Sequence, residues 1–118
     1  MDRVVLNQVI LTGRVATPPR RQYQPDGTPV IQFPLELNDL GTEKGLVPIV
    51  AFGTLALSHP ELEPGQLLLV KGKLRARRWQ TPQGRERRQI EIVASELQLV
   101  EPDSALREKE IITERREG

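Results

Sequence analysis

The sequence predicts an all-β domain: a closed, five-stranded Greek-key barrel with one short helix between its third and fourth strands. Three observations lead there. Apolar runs of strand length recur along the chain, and the clearest alternate with a period of two. Gly and Pro, nine and ten of the 118 residues, fall largely between those runs. Residues 53–60 lack the strand pattern and fit a single short helix ahead of the last hairpin.

Residues 9–15 (Val-Ile-Leu-Thr-Gly-Arg-Val) read as the first strand, and Gly13 within it marks a bulge or sharp bend. Thr17, Pro18 and Pro19 stop it. A second strand starts at residues 21–24, and residues 25–28 (Pro-Asp-Gly-Thr) make a tight turn in which Gly27 can take positive φ. Over residues 29–37, Val30, Gln32, Pro34 and Glu36 share one face, and Ile31, Phe33, Leu35 and Leu37 the other. Pro34 implies that this strand is an edge or carries a bulge. After a polar turn region at 38–45, residues 46–52 form the next strand, and Thr54 is the candidate cap of the helix over 53–60. Pro60, Pro64 and Gly65 break the chain. Residues 66–78 then form a long strand, 80–84 a hairpin loop and 85–94 the returning strand, which 97–100 extend or follow. Counted as a barrel, the order is strand, strand, strand, short helix, strand, strand. The domain is expected to span residues 1–102. Residues 103–118, with four basic and five acidic residues, read as a charged tail or frayed helix dispensable for folding and binding.

Composition narrows the function. At 37% apolar and 28% charged, the chain can bury only a modest, aliphatic core. It has no Cys, so disulfides and thiolate metal sites are excluded, in keeping with a reducing cytoplasm. No apolar run approaches the roughly 20 residues that span a bilayer, and the first residues lack the form of a signal peptide. A cytoplasmic protein without a membrane partner is expected. His59, the lone His, stands before Pro60 and reads as a turn residue. Glu61 and Glu63 flank a chain break without a base partner. No nucleophile–base set, phosphate-cradling loop or carboxylate cluster is visible, so neither enzymatic activity nor a metal or other cofactor is expected.

The charge distribution points to a partner. Residues 71–88 hold eight basic residues and a single acid, Glu86, a net charge of +7, while the rest of the chain sums to −6. On a strand, Lys71, Lys73, Arg75, Arg77 and Trp79 share one face, and Gly72, Leu74 and Ala76 point the other way. A row of cations ending in an exposed indole suits a flexible polyanion with stackable bases, namely single-stranded nucleic acid. Solvated cations on an edge strand are the plainer reading of the same row. Phe33 shares its face with Ile31 and Leu35 and belongs to the core, whereas Phe52 fits either core or a stacking role.

Three blocks carry a resemblance. Residues 7–15 with Pro18, Pro19 and residues 21–30 resemble the start of bacterial single-stranded DNA-binding proteins. Residues 49–56 (Ile-Val-Ala-Phe-Gly-Thr-Leu-Ala) are similar to that family's strand-to-helix passage, and residues 64–84 to its later strand and hairpin. The blocks stand in family order across about residues 4–100. The resemblance implies an oligonucleotide-binding (OB) fold and homodimers or homotetramers, and it extends to the dimeric primosomal PriB relatives. It implies that Trp79, Phe52 and Tyr23 stack on bases. Arg14, Lys71, Lys73, Arg75, Arg77, Arg78, Arg85 and Arg87 lie where the family places, or could place, phosphate-contacting cations. This chain departs from the family pattern in having no aromatic over 38–41 or 46–48, a shortened loop between those strands, and no acidic, Phe-tipped end. The expected function is sequence-tolerant binding of single-stranded DNA in replication, replication restart, recombination or repair. The alternative is a PriB-like module that chiefly contacts replication-restart or repair proteins. An RNA binder on the same fold is a third reading.

Overall fold

Close approach of backbones at two glycines shapes the sheet that these sequence patterns build. The structure, a computed structural model, describes residues 5–37, 45–59 and 62–101. The strands are β1 (Val9–Val15), β2 (Arg20–Tyr23), β3 (Pro29–Leu37), β4 (Gly45–Phe52), β5 (Leu67–Gln80) and β6 (Glu86–Leu99), with α1 (Thr54–Leu57) between β4 and β5. The sheet order is β1-β5-β6-β4-β3-β2, and a further β1–β3 pairing closes it into a ring. Five strands form that ring, and α1 follows the third of them, as the sequence predicts. Among the described residues the short β2 pairs only with β3 and is a sixth piece, an arm outside the ring.

The alternation along β3 sets the inside of the barrel. Ile31, Phe33 and Leu35 are buried and meet Val15, Ile49, Leu68, Val70 and Ile92 in one core. Phe33 is thus a core residue. Gly13 stands where β1 leaves β5 and meets β3: β1 pairs with β5 as far as Arg14, and with β3 at Arg14 and Val15. A Cβ on Gly13 would lie 2.7 Å from the Glu36 carbonyl oxygen and 2.8 Å from the Leu35 side chain.

Gly72 does the same for β5 and β6. The register shifts there, with Lys71 opposite Glu96 and Gly72 opposite Ala94, so Ser95 is the extra residue of a bulge. A Cβ on Gly72 would come within 2.2 Å of the Val93 carbonyl oxygen. Beyond the bulge the hairpin runs past the core, and Leu74 and Ile90, on the core-facing side by register, are exposed. The Asn7 side chain exchanges two hydrogen bonds with the Leu74 backbone, at 2.8 and 2.9 Å, and so satisfies the β5 edge just past the reach of β1.

Several local expectations are corrected. β3 is not an edge, because β2 and β4 flank it on either side. Pro34 is accommodated because it stands directly opposite Pro48, where neither residue needs to donate to the other, and its carbonyl accepts from the Ala16 N–H on the far side. The helix has only four residues; its cap position is Gly53, at φ 67°, and Thr54 is its first helical residue. β6 continues through residues 97–99, the extension being the alternative that holds. Gly27, at φ 92°, does serve the β2–β3 turn, where the Thr28 N–H donates to the Asp26 carboxylate and holds that carboxyl below the usual range. The charged segment 103–118 lies outside the described residues.

α1 closes one end of the barrel with buried Ala56. Arg21 donates to the Ala56 and His59 carbonyls at 3.3 and 2.7 Å, and His59 Nε2 donates to the Leu97 carbonyl at 2.9 Å. His59 therefore has a structural task, tying the helix end to β6. Replacing either Gly13 or Gly72 by Ala should destabilise the fold by about 1–3 kcal/mol, since in both places backbone atoms must give way. Chemical denaturation of the two variants checks this, and Gly45→Ala, where a Cβ meets nothing within 4 Å, is the control.

Candidate nucleic-acid interface

Opposite the core, the outward faces of four neighbouring strands make one surface. On β3 and β4 the facing pairs are Val30 with Phe52, Gln32 with Val50 and Pro34 with Pro48. Val50 adjoins Val93 of β6. On β6 and β5 the facing pairs are Val93 with Lys73, Glu91 with Arg75, Gln89 with Arg77 and Arg87 with Trp79. Val30 and Val50 are buried yet stand outside the core cluster, so they form the floor of this outer face.

Two adjoining hollows run across it and share Gln32 and Arg77. One, of about 360 Å³, is walled by Tyr23, Phe52 and Arg75 over Val30 and Val50. The other, of about 490 Å³, is walled by Arg20, Arg77, Gln89 and Glu91, with Pro34, Leu46 and Pro48 as its apolar side. Together they form an open groove with planar, cationic and amide groups in reach of one bound strand.

Glu91 organises the cations. It is 3% exposed, and its carboxylate accepts from Arg75 Nε at 3.1 Å and from Arg75 Nη2. Arg77 Nη1 lies 3.8 Å from its second oxygen. Each guanidinium also covers a ring: Arg75 is 5.4 Å from the Phe52 centroid and Arg77 4.9 Å from the Trp79 centroid. Phe52 is thus an outer-face residue and not core.

The expected site residues divide. Tyr23 (72% exposed), Phe52, Trp79 (36% exposed), Arg75 and Arg77 come together on the groove face. Lys73 and Arg87 face the same way by register. Lys71 shares that side but lies before the bulge and is paired with Glu96 at 3.7 Å. Arg78 faces the opposite side of the hairpin and pairs with Glu86 at 3.2 Å. Arg85 belongs to the hairpin loop, where its N–H donates to the Thr81 hydroxyl. Arg14 donates to the Gly65 carbonyl at 2.9 Å and is in register with Leu67, at the far end of β5 from Trp79. The structure adds Arg20, Gln32, Gln89 and Glu91, which sequence reasoning missed. Counting back equally from Gln80 and Glu86 would have set Glu91 opposite Arg75.

The single-strand binding protein family model matches residues 6–100. A single-stranded DNA-binding protein of Thermotoga maritima is 37% identical over 98 residues, covering 75% of this chain and 70% of its own length. One from Caldanaerobacter subterraneus is 33% identical over 107 residues, covering 85% and 71%. Among solved structures, a Plasmodium falciparum SSB complex with ssDNA superposes with a TM-score of 0.72 at 25% identity, covering 86% of this chain and all of that one.

Because Trp79 is the only tryptophan, its shielding can be read directly. Arg77→Ala should expose the covered ring face, so the acrylamide quenching constant of the free protein rises. Lys73→Ala, which removes a cation without uncovering the ring, should leave it unchanged.

Proposed function

This chain belongs to the single-strand binding protein family, and from that membership and the groove we propose that it binds single-stranded DNA without demanding a particular base sequence. The observation that carries the proposal is the pairing of Arg75 with Phe52 and Arg77 with Trp79 beside an open groove. Phosphates are held by Lys73, Arg87 and Arg20. Among the described residues these three have no carboxylate within 4 Å. Bases stack on Trp79, Phe52 and Tyr23. Every base has a π-face, so such contacts tolerate any sequence. The protein acts as a binder and not as an enzyme, in the cytoplasm with the nucleoid, during replication, replication restart, recombination or repair. Proteins of those processes are its candidate partners. A purely protein-interacting role has no observation of its own in its favour.

We infer self-association as well. Along β1, residues 9–13 pair with β5 on one edge, whereas pairing with β3 on the other begins only at Arg14. That leaves a run of strand edge with no strand partner among the described residues, and a second copy related by a two-fold axis would extend the sheet. Sedimentation equilibrium at micromolar concentration should give at least twice the 13.3 kDa chain mass; a monomer refutes the inference.

Binding to oligo-dT should weaken steeply with salt, because about 0.7 counterion is released for each phosphate neutralised on a single strand. Trp79→Ala should cost about 1–3 kcal/mol. Fluorescence-anisotropy titrations across a salt series test both. No binding at low salt would sink the reading, and an unchanged affinity in a folded Trp79→Ala protein would remove Trp79 from the interface.

A further inference from the structure

A carboxylate at the floor of an anion-binding groove is costly unless it does something the cations cannot do alone. Glu91 lies among the groove residues with its side chain 4% exposed, while Arg75 and Arg77 remain 45% and 41% exposed above it. It cancels part of the charge that would attract phosphate. What it supplies is geometry. Two N–H groups of Arg75 converge on one of its oxygens, and Arg77 approaches the other. A planar guanidinium held along its edge by a carboxylate cannot turn freely. Here Arg75, over Phe52, is so held, and Arg77, over Trp79, is drawn toward the same carboxylate as an ion pair.

Each guanidinium has two faces. Both guanidinium groups lie over an aromatic ring, line the groove and stay nearly half exposed. Nucleic-acid bases stack on Arg planes as they do on aromatic rings. The chain has only four aromatic residues, of which Phe33 is in the core, so two further planar surfaces matter. We propose that Glu91 is a positioning residue of the DNA interface: it fixes Arg75 and Arg77 as stacking platforms and keeps them from acting as loose point charges. The inference rests on the DNA-binding reading above.

Without the carboxylate charge, both arginines are released to follow phosphates. Binding then becomes more electrostatic and less planar. Glu91→Gln keeps the shape and an acceptor oxygen and removes the charge. In oligo-dT titrations across a salt series, its log–log slope should steepen by about 1.4, two further phosphates at about 0.7 each. At high salt its affinity should fall about tenfold, within the range for a lost stacking contact. The two salt lines should therefore converge or cross at low salt. A role confined to folding predicts otherwise: a lowered melting temperature, with a salt line that coincides with the wild type or runs parallel to it. Either of those lines overturns the proposal. If Glu91→Gln does not fold, the Arg75→Lys/Arg77→Lys double variant decides. It keeps both charges and loses both planes, so it should lose about tenfold at high salt with its slope nearly unchanged; affinity equal to wild type at high salt overturns the proposal. Failure of the wild-type protein to bind oligo-dT at low salt is a separate result, and it refutes the underlying functional reading.

Discussion

Gly72 has no room for a side chain, and the groove depends on that crowding. The Val93 carbonyl oxygen occupies the space a Cβ would need, which lets β5 and β6 come together through a bulge and change course. Before the bulge, Leu68 and Val70 face the core and β5 closes the ring through β1. After it, the same strand leaves the barrel end and carries Arg75, Arg77 and Trp79 along the outer surface. One long strand thus serves both packing and the proposed site. Gly13 is its counterpart on β1, where the approach of the Glu36 carbonyl lets one strand join two neighbours and complete the ring. The sheet has no side chain to spare at either crossing, so the conformational freedom of glycine is secondary there to its small size.

The basic stretch is also more tempered in three dimensions than along the chain. The returning strand brings Glu91 and Glu96 back against Arg75, Arg77 and Lys71, and Glu86 takes Arg78. Lys71 and Arg78 are exposed pairs that salt screens readily. The Glu91 cluster differs because its carboxylate is buried and its partners are only half exposed. Charge is therefore graded along the hairpin: ordered and partly neutralised over the barrel, and freer toward Arg85, Arg87 and Arg88 near the loop. On the proposed reading, the barrel end orients bases while the hairpin tip draws in phosphate.

Much of this was legible in the sequence, and the limits have a common cause. The alternation over 29–37 identifies the core face of β3, and the cationic row with Trp79 identifies one outer face, because strand parity alone fixes both. What parity cannot give is register. A shift of one residue sends a whole strand face to the other side, and the ends of the 80–84 loop are uncertain by that much from sequence. Glu91 therefore carries no signal of its own in the sequence. Gln32 and Gln89 were missed for the same reason: they belong to the site through their cross-strand neighbours. Pro34 misled because a rule about single strands was applied where two strands place Pro34 and Pro48 opposite each other. The bond from Arg14 to the Gly65 carbonyl likewise joins chain segments whose approach no spacing foretells.

The apolar side of the larger hollow shows how such a surface copes with few aromatic residues. Leu46, Pro34 and Pro48 stand where rings would offer broad platforms. Proline rings are compact and rigid and already lack an N–H, so they present apolar surface without an unsatisfied donor. Being saturated, they have no π-face on which a base could stack. If stacking is to be retained, planar groups must come from elsewhere in the groove, and the guanidinium planes held by Glu91 are the ones at hand. Such planes differ from indoles in one respect: each carries its charge with it. Glu91 takes up part of that charge, so the stacking of a base on Arg75 or Arg77 is coupled to the carboxylate and not to a phosphate. That coupling ties affinity to the number of nucleotides engaged and to the buried carboxylate, and leaves little of it to base identity.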